Sequence, residues 1–267
     1  MDNQKTDRQS KAKKTIVVLI PIMLAIVATV SVALMMGGMN TPTPDSPIGG
    51  EGEESSTPAD IPVGAEPETE SEKLSDSLSF SIGSDGRATV IGLGSCTDKV
   101  VRIPAVTADG APVTAIADSA FAYAGGIDEV VMPSSIVSIG ANAFRGSSIK
   151  TVNVGSSVMS IGKGAFADCR NLPSISVDGA NPMYATRGGV LFNRDMTILL
   201  CYPSGRQDSV YTIPKSVSEI GSMAFFSCNA LTKIKYDGNA KEWQRVTVGS
   251  GNILLDSLSV EVDSSDK

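Results

Sequence analysis

The chain has 267 residues, a formal net charge of −7, no histidine and 4 cysteines. Without histidine there is no imidazole base, no Ser-His or Cys-His nucleophile pair and no His-Glu-x-x-His zinc site. Residues 1–14 carry a net +3, residues 37–75 a net −8 and residues 76–267 a net −2. Neutralising a phosphate backbone needs a concentrated basic surface. None is present here, and nucleic acid is not an expected partner.

In chain order, the first expected segment is a short basic tail, residues 1–14. It is followed by the uncharged run Thr15–Met36, 22 residues long. At 1.5 Å per residue that run reaches about 33 Å, enough for a bilayer core of roughly 30 Å. The expectation is a single transmembrane anchor over 15–36. A cleaved secretory signal is the competing reading, because Ser31-Val32-Ala33 places small residues at a possible cleavage site, and cleavage would make the protein secreted. The run exceeds the usual signal core of roughly 7–15 residues, which favours the anchor. Bases precede the run and none follows it closely, so the tail is expected in the cytoplasm and the remainder outside.

Residues 37–77 are rich in Gly, Pro, Ser, Thr and Glu, including Glu66-Pro-Glu-Thr-Glu-Ser-Glu72. Like charges and few apolar groups predict a disordered acidic stalk. Its 41 residues would span about 35 Å as a coil and roughly 135 Å fully extended.

From residue 78 to 262 one phrase recurs. Ile116-Ala-Asp-Ser-Ala-Phe121, Ile139-Gly-Ala-Asn-Ala-Phe144, Ile161-Gly-Lys-Gly-Ala-Phe166 and Ile220-Gly-Ser-Met-Ala-Phe225 share the pattern Ile-Gly-x-x-Ala-Phe, with Ala117 as the one departure. The Phe spacings are 23, 22 and 59 residues, the last leaving room for one ordinary and one enlarged unit. Around each phrase runs apolar-x-x-apolar-x-apolar, as in Ile149-x-x-Val152-x-Val154 and Leu231-x-x-Ile234-x-Tyr236. A period of this length predicts a mainly β solenoid, each unit burying its apolar face against its neighbours. One short parallel strand per coil is expected, with equivalent inward positions at Ile103, Met132, Val154, Val177, Ile213, Tyr236 and Val260. The phrase Gly is read as permitting a tight turn, the Ala as allowing close approach, and the Phe rings as the interior.

Two units are enlarged. Asp109-Gly110 marks extra residues in the first, and the coil 178–212 carries a β-hairpin around Arg194-Asp195. Residues 78–103 and 237–262 are expected to cap the ends, with Trp243 as a lid.

The phrase with its flanking strand resembles the treponemal-type, BspA-like leucine-rich repeat family, over about residues 85–262. Cys169 and Cys228 strengthen the resemblance, each three residues after its Phe. It implies a prokaryotic cell-surface protein that adheres non-covalently to proteins, cells or matrix, with no cofactor and no enzymatic reaction. A structural or envelope-assembly role, binding wall polymers or sister proteins, is the alternative. The oligomeric state is left open.

Outward positions of the strands form the candidate ligand face: Glu129, Val131, Thr151, Asn153, Ser174, Ser176, Thr212, Lys233 and Lys235. A small polar centre flanked by Glu129 and the two lysines would suit an extended ligand on a concave sheet. No local pattern pairs carboxylates as glycoside hydrolysis requires. Zinc is not expected without histidine. Cys169 and Cys228, two coils apart, would be separated by about 9–10 Å, beyond the ~7 Å limit for a disulfide, and are expected as free thiols.

Overall fold

Each coil opens on a stretch where every second side chain is apolar, the pattern of a half-buried strand. The computed structural model describes residues 74–75 and 77–262. The tail, the run 15–36 and the acidic segment through residue 73 lie outside the described residues. Among the described residues no helix is long and apolar enough to cross a membrane.

The front of the solenoid is built from three groups of strands, Val100–Arg102 with Glu129–Val131, Asn153–Val154 with Ser176–Val177, and Val210–Ile213 with Lys233–Tyr236 and Glu261–Val262, parallel within each group. This is the expected stack, with one correction at its end. Tyr236 pairs with Val262, so Val262 and not Val260 is the closing equivalent. Leu258, Val260 and Val262 all fit a period of two, and alternation alone cannot choose among them.

A second correction concerns the number of strands per coil. The residues leading into each phrase form a second parallel ladder on the return side: Val113–Ile116, Ser138–Ile139 and Ser160–Ile161, then Glu219–Ile220 and Thr247–Val248. Most coils therefore hold two short strands. The return strands are mostly two residues long, too short for a period to show.

The phrase glycine has a different role from the expected turn. Gly140, Gly162 and Gly221 do not have positive φ. A Cβ on Gly140 would overlap the backbone nitrogen of Asp118, and one on Gly162 that of Ala141. The amide of Gly140 donates to Ile116 O and that of Gly162 to Ile139 O, both at 2.8 Å. Glycine is there because the neighbouring backbone occupies the space of a side chain. Its counterpart Ala117 lies beside the capping strand Ala88–Gly92, its amide donating to Val90 O at 2.8 Å.

The left-handed conformation falls instead on the second variable residue: Ser119, Asn142, Gly164 and Met223 all have φ between 55 and 65°. A second left-handed residue follows each Phe by two positions, at Tyr123, Gly146, Asp168 and Ser227. Asn, Asp and Gly tolerate this region, whereas Met and Tyr are strained in it.

Phe121, Phe144, Phe166 and Phe225 are all buried. Their rings stack, Phe121 on Phe144 at 5.2 Å and Phe144 on Phe166 at 5.4 Å between centroids, nearly parallel. Tyr202 takes the aromatic slot of the enlarged coil and lies 5.6 Å from Phe225. Beside this column, Cys169 Sγ donates to Phe144 O at 3.0 Å and Cys228 Sγ to Tyr202 O at 3.4 Å. All four cysteines are free thiols. Burial raises Cys169 to about 11 and Cys228 to about 12, and pushes Cys201 well above the ordinary value.

The enlarged coil contains the expected hairpin, Val190–Asn193 against Ile198–Cys201, and a further strand, Tyr184–Arg187, that makes it a three-stranded meander. Val190, Leu191 and Phe192 are all buried. Leu191 packs into the N-terminal core cluster, Val190 and Phe192 into the C-terminal one. This strand is a partition between two cores.

At the N-terminal end, the antiparallel pair Ser79–Ile82 and Ala88–Gly92 covers the first coil. Ser75, on the stalk side of the expected boundary at 78, is buried. Its hydroxyl accepts from Arg102 N at 2.9 Å. At the other end Trp243 lies 5.3 Å from Tyr236 and is half-buried. The closure there rests equally on Asn252, whose side chain accepts from Phe225 N at 2.9 Å and donates to Gly221 O and Gly249 O. One amide replaces the backbone of the coil that is not there.

Two outcomes are expected. Gly162→Ala should destabilise the domain by about 2–3 kcal/mol through overpacking. Gly221→Ala, whose added methyl meets the Leu199 carbonyl at 3.3 Å, should cost about 1 kcal/mol or less; denaturant melts of the two variants check the order. Iodoacetamide at pH 8 should label Cys96 in the native protein and the other three cysteines only after unfolding. Because the unfolded thiols release protons from about 9.0 while the folded ones hold them to about 11–12, the folded state binds more protons in that window. Stability should therefore fall as pH rises from about 9 to 12, measured as the melting temperature.

Candidate functional site

Strand alternation decides which front side chains the domain keeps and which it presents. Val101, Val130, Val152, Ile175 and Ile234 turn inward and are buried. Between them Thr151, Asn153, Ser174, Ser176, Thr212, Lys233 and Lys235 are exposed, and Glu129 and Val131 are half-buried. All nine predicted positions are on the front strands or directly beside them.

They do not form one uninterrupted surface. Thr151 to Ser176 make up a first group, tied together where the Ser176 hydroxyl lies 2.9 Å from Val152 O and 3.1 Å from Asn153 Oδ1. There the front ladder stops. The amide of Ile175 donates not to the next strand but to Gly189 O, at 2.9 Å. The meander's first turn, Arg187–Val190, thus stands between this group and a second one made of Thr212, Lys233 and Lys235. Gly189 fits because its Cα lies against Ser174, where a Cβ would come within 2.6 Å of the serine Cβ.

Lys233 is engaged by the closing rung, its ammonium 2.7 Å from Glu261 Oε1. Hydrogen bonding from Lys233 lowers the Glu261 carboxyl below its ordinary value. Both side chains are about half exposed and screened by solvent, so the pair contributes little to stability.

The interruption creates a feature that the period does not predict. A cleft of about 250 Å³ is lined by Arg187, Arg206, Tyr211, Thr212, Pro214 and Asp237 among others. Arg206 is its fixed point. Its Nε donates to Asp208 Oδ2 at 2.7 Å, its Nη1 to the Gly188 carbonyl, and its guanidinium lies 5.3 Å from the Tyr202 ring centre. The Tyr202 hydroxyl reaches Asp208 Oδ2 at 3.2 Å. Hydrogen bonding from Arg206 lowers the Asp208 carboxyl, and burial pushes Tyr202 up to about 12 and Tyr211 higher still. These tyrosines are neutral donors at physiological pH. Of the predicted residues only Thr212 lines this cleft. The one sequence signal for the rest is the polar turn Ser204-Gly205-Arg206-Gln207-Asp208, which falls outside the repeat.

Chemically, these groups can hold a ligand by charge and hydrogen bonds. The buried thiols are protonated at neutral pH, and among the described residues no three or more acidic or thiol groups gather as a metal site would need.

Residues 110–184 and 207–250 match the BspA type leucine rich repeat region, in six copies. The stretch between them falls on the meander, and the match is narrower than the expected 85–262. No curated protein matches the chain. Among solved structures the chain is similar to the pneumococcal vaccine antigen PcpA, with 24% identity and a TM-score of 0.51, over 62% of this chain and 39% of that one. That likeness is one of fold, and it reaches less than half of the pneumococcal chain. The chain is also similar to a leucine rich cell surface protein from Faecalibacterium prausnitzii, with 18% identity and a TM-score of 0.41 over 67% of this chain and 72% of that one. A leucine rich repeat protein from T. pallidum is similar at 22% identity and a TM-score of 0.39, over 60% and 68% of the two chains. Six copies of one unit, spread over the coils described above, give this chain a BspA type leucine rich repeat region across residues 110–184 and 207–250.

Proposed function

We propose that this protein is a membrane-anchored surface adhesin whose front face binds a protein or matrix ligand without chemical turnover. The observation that carries this reading is the strict division of labour along the front strands. Inward residues supply the core, and the outward polar row from Thr151 to Lys235 is left to solvent by the fold's own packing. Solenoids of this kind present such rows as extended binding surfaces. The repeat family is a scaffold family, and the exposed row supplies hydrogen-bonding and charged groups, not a reaction centre.

Anchoring rests on the uncharged run 15–36 and on the basic residues before it. The acidic residues 37–73 are proposed as the stalk that carries the head away from the membrane.

A panel of matrix proteins, wall fragments and intact cells, offered to the full-length chain, tests the binding role. For whichever of these binds, a paired Asn153→Arg and Lys235→Glu substitution should weaken binding at least tenfold, about 1.4 kcal/mol, while Ser160→Glu on the return side leaves it unchanged. Equal loss from both, or from neither, removes the front face as the binding surface. Wall polymer as the sole binder would move the protein to the envelope-assembly class. Deleting residues 15–36 should release the head from the membrane fraction, and a mature N-terminus beyond residue 33 would show a cleaved signal instead.

A further inference from the structure

The rule that joins one coil to the next is broken at one place on the return side. In the intact coils, alternate amides of each phrase donate to alternate carbonyls of the following one. Ser119, Phe121 and Tyr123 donate to Ala141, Ala143 and Arg145. Asn142, Phe144 and Gly146 donate to Lys163, Ala165 and Ala167, all within 2.7–3.0 Å. The third phrase continues the series with Gly164, Phe166 and Asp168, but the coil after it is the enlarged one, where Leu199 to Tyr202 replaces the phrase with a shorter path. The Gly164, Phe166 and Asp168 amides find no acceptor among the described residues. Ile161 N, at the head of the same phrase, turns to the Tyr184 hydroxyl at 2.8 Å.

A cleft of about 380 Å³ opens at this place. Its walls include Gly164 and Phe166 on one side, Ser222 and Met223 on the other, and Leu191 and Leu200 at its base. Among the described residues Ser222 O accepts no hydrogen bond, although its equivalents Ala141 O and Lys163 O do. Asn142 Oδ1, packed against Gly164, is buried without a partner among the described residues. Donors on one wall, an acceptor on the other and an apolar base make the outline of the missing phrase.

We infer that this cleft receives a short peptide segment of a partner protein, which completes the interrupted coil by backbone-to-backbone hydrogen bonding. A lone carboxylate matches only one donor. Amides at every second residue match carbonyls repeating at the same interval, which only a polypeptide supplies. One apolar side chain of that peptide would enter the space between Leu191, Leu200 and Met223. Lys163 and Glu219, of opposite charge at the rim, favour a segment without strong net charge. The site is separate from the front face and does not depend on it.

The test is amide exchange in the full-length chain, followed by NMR in detergent micelles, with a capped hexapeptide Ile-Gly-Ser-Met-Ala-Phe as the probe. At saturation, exchange at Gly164 and Phe166 should slow at least tenfold while Phe144, already bonded, is unchanged. A peptide with glycine in place of Ile, Met and Phe should have no effect, and Leu200→Trp, which fills the cleft, should abolish the protection. No slowing at millimolar probe, or equal slowing by the glycine peptide, overturns the proposal. Protection without probe also overturns it, pointing to a second copy if it depends on protein concentration and to this chain's own residues if it does not. The glycine-peptide comparison uses the unmodified protein, so it decides the matter even if Leu200→Trp misfolds.

Discussion

The rise from one coil to the next is set by backbone lying on backbone. At Gly140 and Gly162 the neighbouring chain comes so close that a Cβ has no place, and this contact fixes the separation at which the Phe rings meet face to face, 5.2–5.4 Å apart. A larger rise would open a gap between rings, and a smaller one would drive them into each other. The aromatic column, the thiol contacts with preceding carbonyls and both strand ladders follow from that single spacing. At the enlarged coil both strand ladders break off, while the thiol contacts persist, Cys201 Sγ lying 3.9 Å from Phe166 O.

The same dependence explains where strain is accepted. Met223 and Tyr123 hold left-handed backbones that Asn or Gly would hold more easily. Met223 has a compensating use, since its side chain extends across the cleft to Gly164. Tyr123 is largely exposed but its ring covers Gly146, another left-handed position. In both cases a bulky side chain covers a glycine of another coil.

The repeat was legible because Ile, Gly, Ala and Phe each meet a constraint that recurs identically in every coil. The outward front residues were legible for the same reason, since alternation leaves no other choice once Val130, Val152 and Ile234 are inside. What escaped was whatever a single coil does once. The strand Tyr184–Arg187 has no period to announce it, and Arg206 acquires the Gly188 carbonyl as a partner only because the meander brings it there. Asn252 stands in for a whole coil with one side chain. The register of the last rung was ambiguous because three apolar residues in alternation satisfy the pattern equally. The return strands end on the phrase Ile, and at mostly two residues each they are too short for alternation to reveal them.

The partition strand Val190–Asn193 gives the head a built-in seam. Apolar contacts in a solenoid reach only as far as the adjacent layer, and here the layers on either side of the seam belong to separate cores. Both ladders are also interrupted there. On the proposed role, a domain held at one end and loaded on its front face carries tension along its length, and this interrupted layer is where it would yield first. Parting at this joint would leave two smaller bodies, each with its own interior, that could close again when the load is released.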